Sequence, residues 1–180
     1  MTSETVNSRI LPGQAVDADS FRGALARHAA GVVVITASRS GDGAPVGLTA
    51  TSFSSASLDP PLVSFYVDRS STTWPSLRTA DRFAVNILAG DQSVLADRFA
   101  RRGIDRFAAP TAWHLDEAHG LPFLDGTCAQ IVCRLHTTLD VGDHILVVGL
   151  VTAVEAHEND LPLLYHRGRY GRFLPTKERP

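Results

Sequence analysis

The segment that decides the interpretation of this chain runs from Gly47 to Leu62 and reads Gly-Leu-Thr-Ala-Thr-Ser-Phe-Ser-Ser-Ala-Ser-Leu-Asp-Pro-Pro-Leu. Six of its side chains carry hydroxyl groups: Thr49, Thr51, Ser52, Ser54, Ser55 and Ser57. Small hydroxyl residues let a ligand approach the backbone and supply neutral hydrogen-bond donors and acceptors. The segment begins as a strand and ends at a rigid Asp-Pro-Pro turn. Such a surface suits a planar, heteroatom-rich ring that carries a phosphate.

The rest of the chain is rich in strand patterns and poor in helix patterns. Apolar, β-branched runs predict strands over residues 32–37, 46–51, 62–67, 83–88, 127–139, 144–156, 163–166 and 170–173. Many strands with few interleaved helices favour a barrel or sandwich over a doubly wound sheet. No Gly-x-Gly-x-x-Gly follows a strand, so a Rossmann site is unsupported.

Three helices are predicted between these strands. The first is capped by Asp19 and Ser20 and stops at Gly31, the second is short and opens at Ser71 and Thr72, and the third is capped by Asp91. Residues 103–126 contain prolines and glycines and predict an irregular segment.

Length and composition predict one soluble globular domain. The chain has 180 residues, 44% hydrophobic and 20% charged. We expect a flexible arm over residues 1–16, the domain over 17–175 and a mobile tail over 176–180. The net charge of −2 gives no general attraction to nucleic acid or to an anionic membrane. No apolar run approaches the roughly 20 residues of a membrane helix, and the start is unlike a signal peptide, so a cytoplasmic location is the default.

The sequence lacks common metal-binding and nucleophile motifs. Cys128 and Cys133 lie on opposite faces if their segment is a strand, which disfavours a disulfide. They are interpreted as small buried residues, because no Cys-x-x-Cys pair supports a zinc site. There is no His-Glu-x-x-His helix and no Gly-x-Ser-x-Gly elbow. No metal is expected.

Five motifs in this order resemble the short-chain flavin reductase family, and they span roughly residues 20 to 173. They are Ala30–Thr36, the hydroxyl-rich run, Phe83–Leu88 with Asp91-Gln92, Gly142-Asp143-His144, and Tyr165–Gly171. The resemblance implies a mainly β fold, an FMN-binding split β-barrel with α additions. It also implies a homodimer with flavin near the subunit interface.

The resemblance assigns flavin-binding roles to three groups of residues. The first edges the isoalloxazine ring and ribityl chain: Gly47, Thr49, Ala50, Thr51, Ser52, Ser54 and Ser55. The second meets the flavin phosphate: Ser70, Ser71 and Thr72, at a predicted helix start with free backbone N–H groups. The third comprises Phe99, Arg102 and Arg106. Phe99 either closes over the cofactor or packs in the core, and the arginines meet the flavin's phosphates, its adenine end or the acidic face of a partner. The structural alternatives are a Ser/Thr-rich turn, simple N-capping and, for the arginines with Arg98, a solvated helix surface.

A separate set is implied for the nicotinamide. The resemblance places His144 on the nicotinamide side, with Arg169, Tyr170 and Gly171 lining the pocket. His144 is the candidate catalytic residue, although hydride transfer to a flavin can take its proton from water. The alternatives are a structural turn histidine and ordinary barrel packing of the tyrosine. Asn86 is interpreted as structural, because a polar residue in an apolar strand must find a partner.

The implied function is an NAD(P)H:flavin oxidoreductase that reduces free FAD or FMN by hydride transfer and supplies reduced flavin to a separate monooxygenase. Such a reaction asks the protein mainly to bind and orient the cofactors, so a missing catalytic triad is expected. FAD is slightly favoured over FMN. NADH is favoured over NADPH, because no clear basic cluster is assigned to a 2′-phosphate, although Arg169 could contact it. The alternatives are a pyridoxamine-phosphate-oxidase-like FMN enzyme, which Gly142-Asp143-His144 disfavours, and a non-catalytic flavin-binding module.

Overall fold

The computed structural model describes residues 15–157 and 161–175. The predicted arm, apart from its last two residues, and the predicted tail lie outside the described residues. The elements in chain order are α1 (Ala18–Leu25), β1 (Ala30–Gly31), β2 (Val33–Ser38), β3 (Pro45–Ala50), β4 (Ser54–Leu58), β5 (Pro61–Asp68), α2 (Trp74–Leu77), β6 (Arg82–Ile87), α3 (Ser93–Ala100), β7 (Trp113–Asp116), β8 (Leu121–Leu124), β9 (Ala129–Val141), β10 (His144–Ala156), β11 (Leu163–His166) and β12 (Arg169–Arg172).

A seven-stranded antiparallel sheet organises the described chain. Its strand order is β3-β2-β6-β9-β10-β5-β4. A smaller sheet, β1-β11-β12, and the hairpin β7-β8 complete the strands. The expected mainly β class with helical additions is confirmed. None of the helices in the described ranges is long and apolar enough to span a membrane.

The core is packed mainly against one face of the large sheet. Phe65 and Phe83 are buried there with their ring centroids 5.6 Å apart in an edge-on arrangement. Cys133 is buried beside them, and burial raises the pKa of its thiol to about 12, which keeps it protonated. This agrees with its interpretation as a small buried residue.

Asn86 connects three strands, as a buried polar residue must. Its Nδ2 donates to the carbonyl of Val34 at 3.1 Å and to Oγ1 of Thr36 at 3.0 Å, and its Oδ1 accepts from Leu124 N–H at 3.0 Å. The side chain therefore holds β2 and β8 to β6 without leaving a polar atom unpaired. The structural interpretation of Asn86 is supported.

Three local predictions were wrong because distant pairing or packing decides these segments. Helix α1 is capped by Asp17, and it ends well before Gly31 because β1 pairs with β11. Helix α3 is preceded by Gln92, not capped by Asp91, and the Gln92 side chain accepts from Ala89 N–H at 2.9 Å. The segment 103–126, predicted irregular, contains the hairpin β7-β8, whose Gly120 and Pro122 hid the strand pattern.

Gly149 in β10 gives the sharpest packing constraint in the core. A Cβ added there would lie 2.5 Å from Cζ of Phe83 and 3.1 Å from Cβ of Cys133. We expect Gly149→Ala to lower the free energy of unfolding by about 1–3 kcal/mol, because a rigid buried ring must shift. Urea denaturation would measure the change.

Gly23 provides the matched control for that substitution. It lies inside α1 and has nothing within 4 Å of an added Cβ. Gly23→Ala should stabilise the protein slightly, by about 0.5–1 kcal/mol, because alanine loses less backbone entropy in a helix. Equal stability of the Gly149→Ala variant and the wild-type protein would contradict the packing argument.

Candidate functional site

A cavity of about 200 Å³ lies where β3, β5 and the end of α3 meet. It brings together six of the residues predicted for flavin binding: Thr49, Ser71, Thr72, Phe99, Arg102 and Arg106. These residues come from three separate stretches of the chain. The structure therefore joins the hydroxyl-rich run, the Ser-Ser-Thr segment and the arginines around one concave surface.

Arg106 fixes the shape of this cavity. Its Nη1 donates to the carbonyl of Gly47 at 3.1 Å and to Oγ1 of Thr73 at 2.9 Å, and its Nε donates to the carbonyl of Arg101 at 3.0 Å. Partial burial lowers the pKa of this guanidinium, which still remains charged at neutral pH. Arg106 thus joins β3, the start of α2 and the end of α3, and most of its donors are engaged in doing so.

Asp68, Ser70 and Arg102 form a hydrogen-bonded cluster at the cavity. Oδ1 of Asp68 accepts from both N–H and Oγ of Ser70 at 2.6 Å, and Ser70 Oγ accepts from Nη2 of Arg102 at 2.9 Å. The hydrogen bonds from Ser70 lower the pKa of Asp68, so its carboxylate is ionised at neutral pH. The cluster orients the Arg102 guanidinium, whose remaining donors suit a phosphate.

Asp68 was missed by the sequence analysis, although a signal for it exists. An aspartate followed two residues later by serine is typical of a turn in which the carboxylate binds the backbone. The expectation of free backbone N–H groups over Ser70–Thr72 was wrong for Ser70 and Ser71. Ser71 N–H donates to the Asp68 carbonyl at 2.9 Å, and Thr73 N–H donates to Ser71 Oγ at 3.3 Å. In this segment, the groups that can face a ligand are therefore mainly side-chain hydroxyls.

Gly47 and Phe99 pack directly against each other beneath the cavity. A Cβ on Gly47 would lie 2.8 Å from Cε1 of Phe99 and 2.9 Å from the carbonyl of Ile35. Phe99 is almost fully buried, and its ring stands edge-on to Phe107 with centroids 5.1 Å apart. Gly47 is required because α3 approaches β3 so closely.

The hydroxyl-rich run divides into anchoring and exposed residues. Thr49 Oγ1 donates to the carbonyl of Ala96 at 2.7 Å, which ties β3 to α3. Ser52 Oγ accepts from Tyr66 N–H at 2.9 Å, and Ala50 is buried in the core. The remaining candidates are exposed to solvent: Thr51, Ser54 and Ser55. These exposed hydroxyls extend from the end of β3 onto the edge strand β4.

His144 lies near the cavity through strand pairing. It begins β10 and stands opposite Asp68 of β5. Its Nδ1 lies 2.7 Å from Oδ1 of Asp143, and 42% of its side chain is exposed. That contact lowers the pKa of Asp143. The His144 imidazole is therefore oriented by the Asp143 carboxylate, and His144 lies opposite Asp68 in the sheet.

The other nicotinamide candidates lie in the smaller sheet. Arg169, Tyr170 and Gly171 line a different cavity, which shares no lining residue with the first. The Tyr170 hydroxyl donates to Oδ1 of Asp97 at 3.1 Å, and burial, with that contact, raises its pKa to about 12. Within one chain, the described contacts do not join this set to His144.

Comparisons with known proteins identify the family of this chain. The family model "Flavin reductase like domain" matches residues 25–174. An NADH:FMN oxidoreductase from Rhodococcus qingshengii is 46% identical over 162 residues, covering 88% of this chain and 83% of that protein. The reductase subunit of a flavin-dependent monooxygenase from Rhodococcus jostii is 35% identical, covering 99% of this chain and 89% of that protein.

A solved structure supports the fold as well. The NADH:FAD oxidoreductase from Streptomyces globisporus, in complex with NAD and FAD fragments, matches with a TM-score of 0.83 at 31% identity, covering 92% of this chain and all of that chain. The chain belongs to the flavin reductase-like family. The expected split-barrel fold of the flavin reductase type and the resemblance to that family are confirmed.

The charge of Asp68 should weaken the binding of a flavin phosphate. Asp68→Asn keeps an Oδ1 acceptor for Ser70 but removes a negative charge beside Arg102. We expect the Kd for FMN to fall about threefold, since a unit charge roughly 6 Å away in water contributes under 1 kcal/mol. Riboflavin, which lacks the phosphate, should bind unchanged. Fluorescence titration measures both affinities.

Asp81→Asn is the control for this experiment, because Asp81 is exposed and does not line the cavity. An equal change in FMN and riboflavin affinity in the Asp68 variant would show that the phosphate does not lie near this carboxylate.

Proposed function

We propose that this chain is an NADH-dependent flavin reductase that binds free flavin, presents it to a nicotinamide nucleotide and releases it reduced to a partner monooxygenase. The observation that carries the proposal is the cavity where Thr49 of β3 and the hydroxyls of Ser71 and Thr72 meet the Asp68–Ser70–Arg102 cluster. This donor set fits a flavin chain that ends in a phosphate. Flavin supplies the ring that accepts hydride, and the protein supplies its position.

The proposed roles follow the order of donors along the cavity. Arg102, held by Ser70, and the hydroxyls of Ser71 and Thr72 bind the phosphate. The hydroxyl-rich run edges the ribityl chain and the ring, with Gly47 allowing the close approach of α3. Phe99 packs beneath the cavity, because its ring is buried. Arg106 holds the surrounding segments in place, because its guanidinium donates mostly to backbone carbonyls.

A homodimer is part of the proposal. The cavity of about 200 Å³ is smaller than the several hundred Å³ typical of ligand sites, so one chain covers only part of a flavin. His144 and the Arg169–Gly171 set also lie apart within one chain. A second copy that closes the site would cover the ring and bring the two parts of a nicotinamide site together.

The nucleotide preferences are drawn from relatives. The Rhodococcus qingshengii protein is named for NADH and FMN, and the Streptomyces globisporus protein for NADH and FAD. We therefore propose NADH as the donor and keep both flavins as acceptors, with FAD remaining slightly favoured. The relative that is a reductase subunit of a monooxygenase supports the partner. A cytoplasmic location belongs to the same proposal.

The direct test is an anaerobic assay of the purified protein. Excess FAD or FMN is mixed with the protein, NADH or NADPH is added, and the flavin absorbance is followed. Catalytic bleaching is expected, fastest with NADH. Flavin that binds but stays oxidised with both nucleotides would favour the non-catalytic binding module, and no flavin binding would overturn the site.

His144→Ala separates the nicotinamide role of this residue from flavin binding. We expect kcat/KM for NADH to fall about tenfold, the effect of one lost hydrogen bond of about 1.4 kcal/mol, while the flavin Kd is unchanged. His114→Ala is the matched control, because His114 also contacts a carboxylate at 2.7 Å and is exposed. Unchanged NADH kinetics in the His144 variant would remove it from the site.

The dimer predicts a simple mass measurement. Sedimentation equilibrium at micromolar concentration should give roughly twice the chain mass of 19.3 kDa. Because the second copy would complete the flavin site, the flavin affinity should fall at concentrations where the dimer dissociates. A monomer that binds flavin with full affinity would contradict the shared site.

A further inference from the structure

The cavity beside the β11–β12 hairpin is large and positively charged. Its volume is about 740 Å³, and its wall includes His166, Arg167, Arg169, Tyr170 and Arg172. No aspartate or glutamate is among the described residues that line it. Three guanidinium groups around one concave surface, in a chain with a net charge of −2, indicate an anionic ligand.

The arginine side chains retain donors for such a ligand. Arg172 uses its Nε to donate to the Gly90 carbonyl at 3.1 Å. Arg167 and Arg169 take part in none of the ion pairs found among residues 15–157 and 161–175. A guanidinium presents several N–H donors in a planar fork that matches phosphate oxygens. The cavity therefore offers several guanidinium N–H donors to a phosphate or diphosphate.

The backbone at Arg167 strengthens this interpretation. His166 and Arg169 pair across a two-residue turn in which Arg167 has φ 50° and Gly168 has φ 74°. A turn with two positive φ values favours Asn-Gly, and a long side chain is rarely found in this conformation. An arginine at such a position indicates that its side chain serves a purpose other than the turn.

An aromatic surface lies beside the charges. Tyr165 and Tyr170 face each other across β11 and β12 with ring centroids 5.3 Å apart. Tyr170 lines the cavity, and its hydroxyl donates to Asp97, which fixes the orientation of the ring. A fixed ring next to guanidinium groups can stack a base while the arginines hold its phosphates.

We propose that this cavity binds the adenosine diphosphate group of a dinucleotide substrate. Arg167 and Arg169 hold the diphosphate, and Tyr170 contacts the adenine. The inference rests on the proposed function and refines the role of Arg169 and Tyr170 within it. NADH and FAD both carry this group, so the experiment distinguishes the two sources.

The first measurement is the binding of 5′-ADP to the purified protein by titration calorimetry. Arg167→Asn and Arg169→Gln are each expected to weaken binding at least tenfold. Asparagine suits the positive φ of the turn, so the Arg167 variant should fold at least as well as the wild-type protein, and its melting temperature checks this. Arg134→Gln, an exposed arginine of β9, is the control and should bind like the wild-type protein.

The second measurement compares substrates with and without the adenosine phosphate. For NADH against reduced nicotinamide mononucleotide, kcat/KM is measured; for FAD against FMN, Kd is measured. A loss confined to NADH assigns the cavity to the nicotinamide dinucleotide, and a loss confined to FAD assigns it to the flavin. Equal losses with the short and long forms would overturn the inference.

Failure of this inference can be distinguished from failure of the proposed function. Absence of 5′-ADP binding to the wild-type protein overturns the inference even if flavin is reduced. Unchanged ADP binding in both variants, with less reduced flavin delivered to a monooxygenase, would instead make the cavity a surface for an acidic protein. If the wild-type protein reduces no flavin, the proposed function fails, while ADP binding still decides the character of the cavity.

Discussion

The hydrogen bonds of the Arg106 guanidinium are the interactions on which the first cavity depends. The guanidinium donates to backbone carbonyls at Gly47 and Arg101 and to the hydroxyl of Thr73, so one side chain joins β3, the segment before α2 and the end of α3. A charged group bonded to several fixed acceptors in a partly buried position is expensive to replace, because each lost partner leaves an unpaired polar group. The cavity is therefore held open as part of the fold.

The two cavities differ in how the positive charge of their arginines is balanced. Asp68 holds Ser70 and, through it, Arg102, so positive charge at the first cavity is directed and partly offset. A guanidinium whose charge is partly offset binds an anion less tightly than one without a neighbouring carboxylate. Around the second cavity, Arg167 and Arg169 have no such partner among the described residues, and the surface stays strongly positive.

Prediction from the sequence succeeded where the signal was local or where several motifs occurred in order. The long strands β9 and β10, a short helix following Ser71 and Thr72, and the need of Asn86 for a hydrogen-bond partner followed from residue patterns. Prediction failed where a distant partner decides. Asp91 has the right chemistry for a cap, yet Gln92 precedes α3, and the hairpin β7-β8 forms despite Pro122 because its residues pack on β2 and β6. The sequence carries a turn signal at Asp68, but only the structure shows that this turn holds Ser70 against Arg102.

By itself the sequence determined the mainly β class, the resemblance to the family and the presence of a hydroxyl-rich surface, because alternation, turn residues and motif order are properties of neighbouring residues. Only the tertiary structure decided which of these residues meet. It placed Thr49, Ser71 and Arg102 around one cavity, turned Phe99 inward against Gly47, and set Arg169 and Tyr170 beside a separate cavity. The physical reason is that a hydrogen bond or packing contact between distant segments is fixed by the register of strands, which depends on the whole sheet.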